Sequence, residues 1–191
     1  VIHQSTASKL NTFTLTLNGQ LIRNNLHILI DGENCESHFY GLYLLNGNTH
    51  ADNHTVVDHK KPNSFSNEMY KGIMDGNSKG VFNGKIFVRP HAQKTNAFQS
   101  NRNIIVSDTA TINTKPQLEI WADDVKCSHG CTSGQLDEEA LFYLRSRGIS
   151  EGNAKAMLLY AFAAEVLEPI QNETLKSYLD TLIAERLQKN F

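Results

Sequence analysis

The chain has 191 residues, of which 40% are hydrophobic and 20% charged, and its formal net charge is −2 at pH 7. Those proportions belong to an ordinary globular protein, long enough for one large domain or two small ones. The near-neutral balance gives no basis for a nucleic-acid or anionic-membrane partner, and no apolar run approaches the roughly 18 residues of a membrane span.

From the N-terminus the first two thirds read as short strands punctuated by turn residues. The runs are "TFTLTL" (12–17), "LHILI" (26–30), "GLYLL" (41–45), "TVVD" (55–58), "GIMD" (72–75), "KIFV" (85–88) and "NIIVSD" (103–108). Asn18-Gly19, Asp31-Gly32, Asn46-Gly47 and Asp75-Gly76 follow several of them. Asn-Gly pairs suit the hairpins of an antiparallel meander. A hairpin, however, resumes its strand at once, and here polar connectors such as "QLIRNN" and "NTHADNH" intervene. Leu15, Leu29, Tyr43 and Val57 fall 14 apart, so two strands per coil give a solenoid repeat of about 28 residues. The solenoid is the favoured reading.

From Asp137 the pattern turns helical. "DEEALFYLRSRG" has Asp137 as N-cap, Glu138 and Glu139 in its first turn, and Gly148 as its stop. A second helix begins at Ser150 and ends before Pro169, with Met157, Tyr160, Ala161, Ala164 and Leu167 as its expected apolar face. A third starts at Asn172, with a stripe of Leu175, Tyr178, Leu179, Leu182, Ile183 and Leu187. The expected domains are therefore a β-rich core, residues 1–134, and a helical subdomain, 135–191. The helices are expected to form a small bundle or to cap the exposed end of the solenoid; they could also be a docking platform.

The most chemically suggestive stretch is "ADDVKCSHGCTSGQ", in which Cys127, His129 and Cys131 alternate. If a strand runs through Gly130, one imidazole and two sulfurs share a face; Gly130 is also where a strand would turn. Thiolates and imidazole suit zinc or iron, but a self-contained zinc site needs four ligands and Cys35 is far off in sequence. A buried thiol and hydrogen-bonded histidine at a strand end is the plain alternative. His50, His54 and His59 are expected to be stacked or corner-bonded polar side chains, and Asp123 with Asp124 a solvated bulge or corner. Ser107, His91 and Asp108 lack a G-x-S-x-G elbow, and no phosphate loop is present. Three cysteines, an odd number, make no disulfide framework and point to a reducing, cytoplasmic setting. "VIHQSTASKLNTF" lacks signal-peptide design, and a chain opening on Val1 in strand-like sequence reads as a piece of something longer.

Three words then place the chain. "TKPQLEIWADDVKCSHGCTSGQLDEEALFYLRSRGIS" (114–150), "RPHAQKTNAFQSNRNIIVSD" (89–108) and "AMLLYAFAAEVLEPI" (156–170) resemble the SufB/SufD family of iron–sulfur cluster assembly proteins, on its SufD branch, from roughly residue 40 onward. The resemblance implies a right-handed parallel β-helix with a C-terminal helical subdomain, acting as a scaffold without catalytic turnover. It implies a SufB-like partner, a SufC-like ATPase, and a nascent iron–sulfur cluster held transiently in the complex. His129 matches the family histidine implicated at the shared cluster site and Cys127 the cysteine two positions before it. Cys131 is a further thiol where the family often has a small residue, and Asn101 stands where the SufB branch has a cysteine. Phe142, Tyr143, Arg145 and Arg147 are the expected SufC-docking residues. The missing family N-terminal region would leave the first coil uncovered and favour a homodimer of the piece. The rivals are a stand-alone β-helix enzyme and a purely architectural subunit with inert Cys and His.

Overall fold

Among the described residues, 1–190 of a computed structural model, every strand pairs in parallel with the strand two ahead of it or two behind. One sheet is built from β1 (Ile2–Gln4), β3 (Leu21–Ile30), β5 (His50–His59), β7 (Lys79–Val88) and β9 (Thr111–Ile120). The other is built from β2 (Lys9–Thr16), β4 (Glu36–Leu45), β6 (Phe65–Met74), β8 (Asn96–Ile105) and β10 (Lys126–Gly134). The chain thus climbs a β-solenoid, two strands to a coil, and the antiparallel meander does not form. Register partners lie from 26 residues apart (Ile2 and Ile28) to 32 apart (Lys79 and Thr111), bracketing the repeat expected from sequence.

The strands are longer than the apolar runs suggest. "QLIRNN" and "NTHADNH", expected as connectors, lie mostly within β3 and β5, where Arg23, Asn25, Asp52 and His54 face outward and Asn24, Asn53 and Thr55 face inward alongside Ile22 and Ala51. Hydrophobicity marked only the half of each strand that packs on apolar neighbours. The Asn-Gly and Asp-Gly pairs are corners rather than hairpins. Gly47 and Gly76 take φ of 56° and 63°, a left-handed bend that favours glycine, and Asn77 N–H donates to the Gly47 carbonyl one coil away. At the opposite corner Ala7, Asn34, Asn63 and Lys94 repeat a left-handed turn, and each N–H donates to a carbonyl in the next coil (Glu33, Pro62, Gln93 and Asp124). The last of these acceptors puts Asp123 and Asp124 at an exposed corner.

The helical subdomain comprises α1 (Glu138–Ser146), α2 (Glu151–Ala164) and α3 (Glu173–Asn190). Asp137 caps α1 by accepting from the Glu139 and Ala140 N–H groups, and Ser150 caps α2 through Asn153 N–H. The helices do not close the end of the solenoid. Leu159, Ala163, Leu167, Leu179, Ile183 and Leu187 pack on Leu42, Leu44 and Ile73, outward side chains of β4 and β6. The bundle lies along the flank of one sheet because those positions form an apolar stripe across successive strands, which burial stabilises. The face used by α2 also differs from the expected one. Leu167 is buried as expected, but Met157 and Ala161 are exposed and Tyr160 and Ala164 half-buried, while Ala154, Leu159, Ala163 and Val166 face inward. A helix apolar almost all round does not choose a face by periodicity; the sheet chooses it. In α3, Leu175 and Tyr178 are exposed and Leu182 half-buried, leaving Leu179, Ile183 and Leu187 as the contact. No helix among the described residues is long and apolar enough to cross a membrane.

Candidate functional site

The strand that carries the Cys-His-Cys motif does run through Gly130. β10 pairs with β8 in unbroken register from Lys126↔Asn96 to Gly134↔Ile104. Cys127 sits beside Ala97, His129 beside Gln99, Cys131 beside Asn101 and Ser133 beside Asn103. All four partners are buried. Because in-register side chains of a parallel ladder share a face, the two thiols and the imidazole belong to the face of β10 that lines the interior of the coil. β10 is the terminal strand of its sheet, so no further coil covers that face. Cys127 is half-buried against the core; His129 and Cys131 are exposed.

Sequence-adjacent ligands are thus brought to one side of one open edge, about 7 Å apart from Cα to alternate Cα. Cys35 does not join them: it is buried at a distant corner, its Sγ 3.2 Å from the Ser5 carbonyl. Among the described residues no group of three or more His, Cys, Asp or Glu side chains is arranged to hold a metal ion. Burial pushes the Cys127 thiol above its ordinary pKa, with a backbone hydrogen bond at Ala97 opposing the shift in part. Uncoordinated, Cys127 is therefore held as the neutral thiol at neutral pH.

The other candidates separate cleanly. His50 and His54 lie on the outer face of β5, where His54 Nε2 is 2.8 Å from Asp52, while His59 turns inward to Ser66 Oγ at 2.8 Å. Burial lowers the His59 pKa to about 4, so it is a neutral core histidine. Ser107 belongs to a corner, where its Oγ donates to Asp75 and accepts from Gly76 N–H. Asn101 is fully buried and donates to the Tyr43 hydroxyl at 3.0 Å and the Tyr70 carbonyl at 3.2 Å. On α1, Phe142 is 74% and Tyr143 56% exposed, and Arg147 lies over the Tyr143 ring at 5.2 Å. Arg145 reaches Glu151 at 3.5 Å. None of α1 is buried, and with Arg147 at its C-cap these four side chains form an exposed, mixed aromatic and basic surface.

Two inward residues behind the motif escaped the sequence reading. Glu68 on β6 and Gln99 on β8 precede His129 in a single inward row, since Glu68 registers with Gln99 and Gln99 with His129. The only signal was their place at alternate positions with Ser66 and Tyr70, and with Ala97 and Asn101, outside the apolar runs that marked the strands.

Comparison with known proteins decides the family. The family model for the SUF system FeS cluster assembly SufBD core domain matches residues 1–162, which include both sheets, α1 and most of α2. The chain belongs to the SufB/SufD family. The match begins at the first residue, about 40 positions earlier than the motif words alone suggested. The chain is 42% identical over 171 residues to the iron–sulfur cluster assembly protein SufD of Escherichia coli K12, covering 90% of this chain and 40% of that protein. It is 40% identical over 178 residues to a SufBD family protein of Synechocystis, covering 93% of this chain and 39% of the relative. Protein ABCI7, chloroplastic, of Arabidopsis thaliana is 32% identical over 92% of this chain. The chain therefore spans about two fifths of the length of these SufB/SufD relatives.

Proposed function

We propose that this chain is the SufD-type scaffold part of an iron–sulfur cluster assembly complex, with no turnover of its own. Cys127 and His129 would supply one side of a cluster site that a SufB-type partner completes. The observation that carries this reading is the placement of both residues on the uncovered face of β10, a strand whose outer backbone edge is also unpaired. Thiolates are the usual iron–sulfur ligands and a histidine can replace one. A half-set of ligands on an open edge suits a site that assembles only when two chains meet. Cys131 lies on the same face and is available as an additional thiol. The nascent cluster is cargo of this reaction.

The exposed surface of Phe142, Tyr143, Arg145 and Arg147 on α1 is the proposed seat of a SufC-type ATPase. Between α2 and α3 an open groove of about 530 Å³ is lined by Met157, Tyr160, Ala156 and Leu187. This division of labour places the nucleotide on another chain, in keeping with the lack of a phosphate loop in the sequence.

Anaerobic reconstitution with SufB-type and SufC-type partners tests the reading. The expected result is a ternary complex that gains iron–sulfur absorbance with wild-type chain and loses most of it with His129→Ala or Cys127→Ser. Full absorbance with both variants would make the motif inert and the chain purely architectural. A homodimer that persists when the partners are added in excess would assign the β10 edge to a second copy instead.

A further inference from the structure

Among the described residues, one side chain outside β10 hydrogen-bonds to that strand: Asn103 of β8, whose Nδ2 donates to the Thr132 carbonyl at 3.3 Å. The strand needs such a tie. Its ladder runs on one side only, to β8. Cys127 packs at its start and Leu136 just past its end, but Ser128 to Gln135 are all exposed. A Cβ on Gly130 or Gly134 would meet nothing within 4 Å, and glycine inside a strand weakens it.

Asn103 is itself held rigid. The Tyr43 hydroxyl donates to Asn103 Oδ1, Asn103 Nδ2 donates to Asn101 Oδ1 at 2.8 Å, and Asn101 Nδ2 donates back to the Tyr43 hydroxyl at 3.0 Å. These bonds close a ring in which every donor points the same way round, so each polarises the next. All three side chains belong to residues at most 3% exposed. The second N–H of Asn101 goes to the Tyr70 carbonyl at 3.2 Å, as that of Asn103 goes to Thr132. The two carbonyls fix both amides, because either flip would set oxygen against oxygen. Gly72 leaves the room: a Cβ there would lie 2.6 Å from Asn103 Oδ1.

We propose that Asn103, locked in the ring with Tyr43 and Asn101, is the positioning residue of the motif strand: through the Thr132 carbonyl it holds the second half of β10 on β8 and so keeps His129 and Cys131 on the lumen face. A slip of one residue would turn both to the opposite face. None of the ring residues touches the cluster. The inference deepens the proposed function and rests on it for its purpose, but its contacts lie within this chain alone.

Amide hydrogen exchange of the full chain, resolved by residue, tests the tie. Asn103→Leu keeps the volume and removes the donor; residues 129–134 are expected to exchange about five-fold faster, the factor one hydrogen bond supplies. Ile28→Ala, a core truncation at the far end of the solenoid, should leave their exchange at the wild-type rate. Wild-type exchange in Asn103→Leu overturns the proposal, and equal acceleration in Ile28→Ala overturns it by reducing the effect to a general loss of stability. Where Asn103→Leu does not fold, the wild-type chain decides: both Asn103 Nδ2 protons should exchange at least about five-fold more slowly than those of the exposed Asn18, and one proton at the Asn18 rate overturns the tie. Cluster formation in the reconstituted complex is the second readout. Asn103→Leu is expected to slow it about five-fold, and an excess of the partner chain, which adds its own hold on the edge, to restore it. Where assembly depends on His129, an unslowed Asn103→Leu overturns the positioning role. Faster exchange in β10 alongside full assembly by His129→Ala upholds the tie and refutes the shared site.

Discussion

Tyr43 and Tyr70 are packed in a reciprocal exchange: each ring lies over the glycine that its neighbouring strand places opposite. The register sets Gly41 beside Tyr70 and Tyr43 beside Gly72, and both tyrosines are fully buried inside the solenoid. A Cβ at Gly41 would lie 2.2 Å from the Tyr70 ring, and one at Gly72 would lie 2.1 Å from the Tyr43 ring. Gly41→Ala and Gly72→Ala should each destabilise the chain by about 1–3 kcal/mol, since rigid rings on neighbouring strands leave little room to yield. Urea unfolding midpoints check this. A midpoint at the wild-type value for both variants would mean the rings move freely.

A second prediction concerns the joint between sheet and helices. Lys71 on β6 is 1% exposed, yet its ammonium donates to the Glu165 carboxylate and, at 2.9 Å, to the Phe162 carbonyl. It also lies 4.4 Å from the Phe162 ring centroid. Lys71 holds the Glu165 carboxyl below its usual pKa, with Arg102 assisting at 3.5 Å. Glu165→Ala strips the buried ammonium of its counter-charge and is expected to cost roughly 2–3 kcal/mol. Lys71→Met, which removes the buried charge and keeps the apolar stem, should be close to neutral. The order of the two denaturation midpoints decides the matter; a Lys71→Met variant weaker than Glu165→Ala would refute it.

Stability should also depend on pH through Glu68. Burial raises its pKa from 4.5 to about 7, against which the Gln99 hydrogen bond works only in part. Between those two values the folded chain keeps a proton that the unfolded chain has released, so stability falls as pH rises through the window. The full loss is about 3 kcal/mol and is complete above pH 7. Glu68→Gln removes it. The stability of the variant relative to wild type should therefore increase from pH 4.5 to pH 8 in paired denaturation curves. A flat difference would show that Glu68 is ionised throughout.

The three thiols should differ in reactivity. Cys131 is exposed, Cys127 half-buried with its pKa raised, and Cys35 buried. Iodoacetamide at pH 7.5 should label Cys131 first, Cys127 on the order of ten-fold more slowly, and Cys35 only on unfolding. Peptide mass spectrometry over time reports the order. Equal rates at Cys127 and Cys131 would mean that β10 frays from β8.

Much of this was legible in order and kind. Asp137, Ser150 and Gly148 bounded their helices because capping is local chemistry, and the Asn-Gly and Asp-Gly pairs marked corners for the same reason. Alternation along "KCSHGC" allowed both a shared face and a turn at Gly130, and nothing local separates the two. Strand pairing with β8 does.

The sequence by itself determined the repeat, the caps, the family words and the residue types at the motif, all of which depend on neighbours a few positions away. Only the tertiary structure decided three things. It selected the face of α2 by offering Leu42, Leu44 and Ile73 as a partner. It left β10 as the uncovered strand, so that Cys127 and His129 stand at an open edge. It also aligned Glu68, Gln99 and His129, residues 31 and 30 positions apart, in one row. Parallel stacking brings such distant residues side by side at the strand spacing, and no local pattern records which coil will lie next to which.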